Sequence, residues 1–411
     1  MGLFAVSMAV TLLVPADHEG IQAAIDASES GGTVIVAGGT YRGPVRLKPG
    51  VVLRSSGDDA RGKLGLSRAE ATIIVGPVEM AEGATIDGFT VTGVGRYDDK
   101  VWQHHYETRG SEQPHEPIGA PGVPGIAASG ACSVLNNIVH HIGYTGIGVT
   151  GGTARVAGNT CFRNMGGGIG AMRGAKALIE SNVCYENFYA GIGCEAASPV
   201  IRGNDCYDNV RAGIGVSEGS SPLVTGNRCH DNRRAGIGVR TGNDTRPVLV
   251  ENECRANGMA GIGVEEGAFP EIRGNRIVAN RLVGIGVTGG SRAVIVGNEV
   301  EREGGMPPII VVLAGCQAVV SGNTVRGGGV AGLLVAGKAE VTDNRFVRIG
   351  KPGGKGVWAH ASAELSHAGN KFEGWAQGVS SMKGAKVTDA STGAKEAASP
   401  GPRGDASTGT K

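Results

Sequence analysis

Between about residues 126 and 300 the apolar positions fall in short alternating stretches, separated by turns rich in glycine, asparagine and serine. Alternation of this kind predicts strands, because successive side chains of a strand point to opposite faces. The stretch from Gly213 shows the unit: Gly-Ile-Gly-Val, a polar turn through Ser221, Pro-Leu-Val-Thr, Gly-Asn, then Arg-Cys-His. Three strands of about four residues are predicted, and such a unit cannot bury its apolar side alone.

The unit recurs. Gly-Ile-Gly starts at Gly146, Gly168, Gly191, Gly213, Gly236, Gly261 and Gly284, in steps of 22, 23, 22, 23, 25 and 23 residues. Asn137, Asn159, Asn182, Asn204, Asn227, Asn252 and Asn275 precede these triplets by a constant nine positions, whereas the return leg varies from 13 to 16. One turn therefore has fixed length and another tolerates insertion. A leucine-rich repeat has a similar period, but its Leu-x-x-Leu-x-Leu signature is absent. The pattern predicts an all-β fold, a right-handed parallel β-helix with about 23 residues per coil.

Stacked coils predict ladders. The central isoleucines, Ile147 to Ile285, should pile up inside. Cys161, Cys184, Cys206, Cys229 and Cys254 should form a second inward row, and the asparagines should bond amide to amide at a turn. Weaker coils continue through Asn298, Asn323, Asn344 and Asn370, and earlier ones through Thr33–Ala37, Val45–Leu47 and Val51–Leu53. The solenoid is expected over 15–380. Glu19–Ala27 reads as a short amphipathic helix capping its first coil. Residues 381–411 lack periodicity and read as a disordered tail. Residues 1–14 are apolar without a leading Lys or Arg, which fits a truncated signal or, from Thr11 to Val14, a first strand.

Composition narrows the function. Glycine is 73 of 411 residues, and the formal net charge of +1 provides no basic field for nucleic acid. No apolar run reaches the ~18 residues of a membrane span. Five of the eight cysteines share one ladder with parallel Cβ directions, so they read as buried small hydrophobes rather than disulfide partners.

Pro15-Ala-Asp-His-Glu-Gly-Ile-Gln-Ala-Ala-Ile-Asp, followed by Gly-Gly-Thr-Val-Ile-Val and Gly-Thr-Tyr-Arg-Gly-Pro-Val, resembles the N-terminal cap and first coil of the pectate-lyase-like β-helix superfamily. The later coils resemble carbohydrate-binding and sugar-hydrolysis β-helix repeats. The resemblance implies that the asparagines occupy the second turn and Gly-Ile-Gly the first sheet, whose outer face binds polysaccharide in the superfamily's enzymes. A secreted or periplasmic location is expected. It does not imply one reaction, since that superfamily includes lyases, hydrolases, epimerases and non-enzymatic members.

Alternation places each isoleucine inside and both glycines of its triplet outside, Gly191, Gly213 and Gly236 among them. Glycine packs nothing and weakens a strand, so a glycine-paved face suggests close approach by a ligand: a saccharide chain, or a flat surface such as a second copy. Tyr144, Tyr189, Arg211, Arg234 and Met259 border the strip on the fixed-turn side. Glu195, Ser217, Arg240 and Glu265 border it on the other. Tyr and Arg beside a groove suit acidic sugars, because a guanidinium binds a carboxylate bidentately; a plain solvated rim is the alternative. Glu186, Asp208 and Asp231 recur four residues after the asparagines, about 5 Å apart on successive coils, a carboxylate row suited to Ca²⁺ or to a neighbouring arginine.

One interval breaks the repeat. Asp87 stands as the ladder residue and Gly125 opens the next first-sheet strand, a gap of 38 residues where nine are needed. The excess, over about 96–121, carries His104, His105 and His115 and reads as a lid over the groove or as a structural plug. Gln113-Pro-His-Glu within it resembles the Asp-Pro-His-Glu motif of β-helical mannuronan epimerases, with Gln113 replacing the Asp, so that only His115 and Glu116 could carry over.

Two functions follow. The first is a polysaccharide lyase or epimerase acting on a uronate polymer. Arg211 and Arg234, or Ca²⁺ on the acidic row, would neutralise the sugar carboxylate, and His105, His115 or Tyr144 would move the proton. The second is a non-catalytic scaffold binding glycan or protein along the glycine face. A hydrolase needs a close carboxylate pair, and Glu195 and Glu265 are three coils, about 14 Å, apart.

Overall fold

The computed structural model describes residues 10–59, 63–113 and 122–391. The chain winds into a solenoid of three parallel sheets. The first sheet has 14 strands, from Val45–Arg46 to Trp375–Ser381, and contains the Gly-Ile-Gly triplets. The second has 16, from Thr11–Val14 to Lys386–Asp389, and the third has 14, from Gly39–Arg42 to Lys371–Glu373. The chain visits them in that order in every complete coil, so each sheet's neighbours are one coil apart in sequence. Among the described residues no helix is long and apolar enough to cross a membrane.

The core forms as the repeat requires. All seven triplet isoleucines have no exposed surface, and they stack in register, Ile169 on Ile192 on Ile214. The five-cysteine row is likewise fully buried, and all eight cysteines are free thiols. Neighbouring thiols in the row, and then burial, push the Cys206 and Cys229 thiols well above their ordinary value.

The asparagine ladder turns the chain from the second sheet to the third. Asn182 donates from Nδ2 to Asn204 Oδ1 and to the Val156 carbonyl, both at 3.0 Å, and its own backbone N–H reaches Asn204 Oδ1 at 2.9 Å. The same bonding runs without a break from Asn137 to Asn370. A second ladder was not anticipated. Asn164, Asn187, Asn209, Asn232, Asn257 and Asn280 line the corner between the third and first sheets; the Asn164 amide donates to the Val139 carbonyl, and those of the other five donate to carbonyls of the cysteine row.

The ends differ in part from expectation. Helix α1 (Ile21–Ala27) buries Ile21, Ala24 and Ile25 against the first coils, as a cap does. Thr11–Val14 pairs with Thr33–Val36 as the first strand; residues 1–9 lie outside the described residues. The aperiodic tail was expected from residue 381, yet Lys386–Asp389 adds a strand to Glu364–Ala368. Backbone pairing and a 3.0 Å Lys386–Glu364 ion pair hold that strand; its side chains are exposed, so no apolar alternation marked it.

Candidate functional site

The groove lies on the outer face of the first sheet, and its floor corrects the glycine assignment. In each triplet only the second glycine faces out. A Cβ on Gly193 would meet no atom within 4 Å, and on Gly215 only Ala190 Cβ, at 3.6 Å. The first glycines, Gly191, Gly213 and Gly236, sit inside at the corner before the strand. A Cβ on Gly191 would lie 2.8 Å from the Gly213 carbonyl oxygen and 2.9 Å from Asn209 Nδ2. They are glycine to admit the second asparagine ladder, and they do not touch the groove.

Above this floor runs a groove of about 180 Å³, with Ala190, Ala212, Ala235 and Ala260 alternating with Gly193, Gly215, Gly238 and Gly263. Arg211, Arg234 and Met259 form one wall, and Glu195, Ser217, Arg240 and Glu265 form the other. A second hollow of about 180 Å³ continues it toward Tyr144 and Tyr189, sharing Ala190, Gly193 and Glu195. The four glycines alone span about 14 Å along the axis at ~4.8 Å per coil.

The groove's chemistry concentrates in three adjacent coils. The Arg211 guanidinium lies over the Tyr189 ring, 4.9 Å from its centre. Arg234 follows one coil on, so Tyr189, Arg211 and Arg234 span about 10 Å. Burial pulls the Arg234 guanidinium below its ordinary value; Glu265 opposes that and Arg240 adds to it. Tyr144 lies three coils, about 14 Å, from Arg211, too far to act on the same sugar unit.

The insertion explains where the arginines point. Asp87 pairs with Leu135, two residues short of the ladder, so Phe89 takes the ladder position and accepts no side-chain role there; its backbone N–H donates to Asn137 Oδ1 at 3.0 Å. The excess therefore starts after the strand Thr90–Thr92. It holds helix α2 (Asp99–Glu107), whose N-terminus is capped by Asp98. This helix packs on the corner between the third and first sheets, not across the glycine floor. Buried Trp102 donates to the Glu186 carbonyl at 2.7 Å and stacks on Tyr106. Arg163 covers the Trp102 ring at 4.4 Å, and Arg233 covers Tyr106 at 3.8 Å. Past the helix the chain reaches the groove wall: Gln113 Oε1 accepts from Arg211 Nε at 2.6 Å, and the Gly110 carbonyl accepts from Arg234.

The remaining candidates are distributed as follows. His105 lies within the insertion's own packing, edge-on to Phe188 at 5.2 Å, and does not line the groove; burial pulls its imidazole below the ordinary value. His115 lies outside the described residues. Glu186, Asp208 and Asp231 do form a row, at corner positions with left-handed φ of 51°, 51° and 56°. Protein donors engage each of them: Arg163 Nε at 2.7 Å on Glu186, the Tyr106 hydroxyl at 3.1 Å on Asp208, and His230 Nδ1 at 2.7 Å on Asp231. Among the described residues no three His, Cys, Asp or Glu side chains gather as a metal site.

A five-ring stack on the outer face of the third sheet also escaped sequence reasoning. His140, Phe162, Tyr185, Tyr207 and His230 lie 4.9–5.1 Å apart and nearly parallel. Their constant offset of three residues after the ladder asparagines was the available signal.

Fold and groove together define a parallel β-helix with one elaborated wall. The right-handed β-helix region family matches residues 121–246 and 236–372, more than half of the chain, and the protein belongs to that family. Comparison with curated proteins finds no match. Among solved structures, the A-module of mannuronan C-5 epimerase AlgE4 from Azotobacter vinelandii is similar, at 16% identity over 90% of this chain and 94% of that one, with a TM-score of 0.51. The AlgE6 A-module of the same organism follows at 15% identity, 90% and 94% coverage and a TM-score of 0.48. The catalytic unit of a GH87 α-1,3-glucanase from Streptomyces thermodiastaticus strain HF3-3 follows at 16%, 93% and 69%, and 0.47. At these identities the likeness is one of fold.

Proposed function

We propose that this protein takes an acidic, uronate-containing polysaccharide along the groove of the first sheet and cleaves it by β-elimination. The observation that carries the reading is the convergence of Tyr189, Arg211 and Arg234 on three adjacent coils beside a floor of glycine and alanine. The small floor admits an extended chain along the solenoid axis, and its alanine methyls suit the apolar faces of sugar rings. Elimination removes the C5 proton, breaks the C4–O bond, forms a C4–C5 double bond and returns a proton to the leaving oxygen. Arg211 and Arg234 would neutralise the C6 carboxylate and so acidify C5–H, and the Tyr189 hydroxyl is the titratable group beside them. In this reading the acid–base role falls to Tyr189 rather than to Tyr144 or His105.

The second reading is binding without turnover. It is favoured by Arg240 and Glu265, which extend charged walls beyond the three-coil cluster. One experiment separates the two. The protein is incubated with mannuronan, polyguluronate and polygalacturonate, with calcium and then with chelator, following ultraviolet absorbance of the new double bond. Binding is measured in parallel by affinity electrophoresis. A rise that Tyr189→Phe cuts by about 100-fold or more while binding persists supports the lyase. Binding with a flat trace across the panel refutes turnover on those polymers and leaves the scaffold. The chelator arm reads whether calcium is required.

A further inference from the structure

The open floor of the groove stops at both ends, by different means. Gly170, Gly193, Gly215, Gly238 and Gly263 are partly exposed, whereas Gly148 and Gly286, the floor glycines on either side of them, are buried. Gly286 is covered from within the repeat: a Cβ there would lie 3.4 Å from Val283 Cγ2 and 3.7 Å from Val311 Cγ2. Val283 pairs in register with Ala260, and Val311 with Gly286 itself, so at this end the floor rises by one side chain. Gly148 is covered from outside the repeat, by the leg on which the insertion returns to the first sheet. A Cβ on Gly148 would lie 3.1 Å from both Cβ and Cγ of Pro124. Two residues earlier Gly122 lies against the Tyr144 ring, where a Cβ would come 2.5 Å from Cγ and Cδ2 of the ring. Glycine is what permits that approach, and the fixed ring of Pro124 cannot swing aside as a rotatable side chain could. Tyr144 consequently faces two separate hollows. One continues the groove; the other, of about 420 Å³, lies beyond the leg and is lined by Pro77, Val94, Gly122 and Val123.

We propose that the groove seats the end of a uronate chain, with Pro124 over Gly148 and Gly122 against Tyr144 as the end stop, and that the rest of the chain leaves past Gly263. This rests on the groove reading above. The open floor covers five coils, about 19 Å between its outer glycines at ~4.8 Å per coil. A sugar unit of an extended chain is roughly one coil spacing long, so about five units fit. Tyr189 stands two coils from the stop, about 10 Å, and Arg211 three coils. Elimination there would release fragments of about two or three units from the seated end, where a groove open at both ends would cut along the chain. Pro124 and Tyr144 thus determine which part of the polymer is taken.

The test counts proteins per chain. Polygalacturonate and mannuronan, each as a short fraction about as long as the floor and as a long fraction of narrow length range, are saturated with the full chain, and the complexes are sized by sedimentation. The wild type is run beside Tyr189→Phe, which keeps the polymers intact if the wild type cleaves them. Short and long chains should each carry one protein, because each has one end of the right polarity. In Pro124→Gly/Tyr144→Ala, once thermal melting shows it to be folded, loading of the long chain should rise several-fold while the short chain still carries one. Pro124→Gly alone should move loading the same way, should the double variant fail to fold. Where the wild type turns over, its early products should be of one short size, and absorbance of the new double bond should rise well before the solution loses viscosity.

Wild-type loading in proportion to chain length, or early products of mixed length, overturns the inference while leaving the groove reading intact. One protein per long chain in the wild type and in the variants alike overturns the assignment of the stop to Pro124 and Tyr144. A wild type that binds neither polymer at either length overturns the groove reading for these uronates, and the inference with it.

Discussion

The two glycines of one triplet occupy opposite environments, and substituting each with alanine tests the whole description of the groove. A Cβ at position 191 would sit 2.8 Å from the Gly213 carbonyl oxygen, 2.9 Å from Asn209 Nδ2 and 3.2 Å from Cys184 Cβ. None of these atoms ends a flexible side chain, since one is backbone, one belongs to a hydrogen-bonded ladder and one is a buried Cβ. Overpacking of this kind costs about 1–3 kcal/mol. A Cβ at position 193 would meet nothing within 4 Å, and neither glycine adopts a left-handed φ. Gly193→Ala should therefore stabilise by about 0.4–1 kcal/mol through the unfolded chain. The two variants should differ by about 1.4–4 kcal/mol, from the sum of the two effects. At roughly 2 °C per kcal/mol for a large domain, the melting temperatures should separate by several degrees with Gly191→Ala lower. Gly193→Phe should then melt near the wild type yet lose polysaccharide binding, because the ring fills the floor. Equal melting of the two alanine variants, or the reverse order, would refute the assignment of inner and outer glycines.

Two further outcomes follow from buried polar groups. Asn209 Oδ1 accepts from the Asn187 backbone N–H and Nδ2 at 3.0 and 3.1 Å, while its Nδ2 donates to the Cys184 carbonyl and Asn232 Oδ1 at 3.0 Å each. Asn209→Ala strands these partners at about 1–3 kcal/mol apiece, so a loss of about 4 kcal/mol or more is expected in urea unfolding, and a loss below about 1 kcal/mol would contradict it. His140, stacked on Phe162, is pushed by burial and by His141 from its ordinary 6.5 down to about 4. The fold thus holds this imidazole neutral, so its contribution is complete above about pH 6.5 and is lost as pH falls toward 4. Proton NMR should show one histidine titrating near the lower end of that window. His140→Phe should flatten the acid limb of stability, and an unchanged acid limb would argue against the assignment.

The period alone was enough to read the fold, because each coil repeats the same burial problem. It gave the three sheets, the isoleucine and cysteine rows, the first asparagine ladder and the capping helix. The glycines failed for a local reason. Strict alternation holds only within a strand, and Gly191, Gly213 and Gly236 stand one residue before theirs, at a corner where the chain direction changes. The second asparagine ladder was equally periodic, five residues after the first, but its role needs the corner geometry to be seen. Gln113 and its Arg211 partner were beyond sequence reasoning altogether. They are separated by 98 residues, and the insertion carries no period to register it against the coils.

That registration has a physical basis in the spacing of the two structures. An α-helix advances about 6 Å over four residues, close to the ~4.8 Å between coils. Trp102 and Tyr106, four apart on α2, accordingly meet Glu186 and Asp208, which are one coil apart. Their corner positions, at left-handed φ, repeat once per coil along the solenoid. Arg163 and Arg233 close over the two rings from the flanking coils. Glu186 and Asp208 together with these arginines form a track one helix can dock on, matched turn to coil. A helix docked in that register carries Gly110 and Gln113 to the coils of Arg234 and Arg211, at the edge of the glycine floor. The repeat supplies a uniform groove, and the non-repeating segment fixes the wall arginines along one stretch of it.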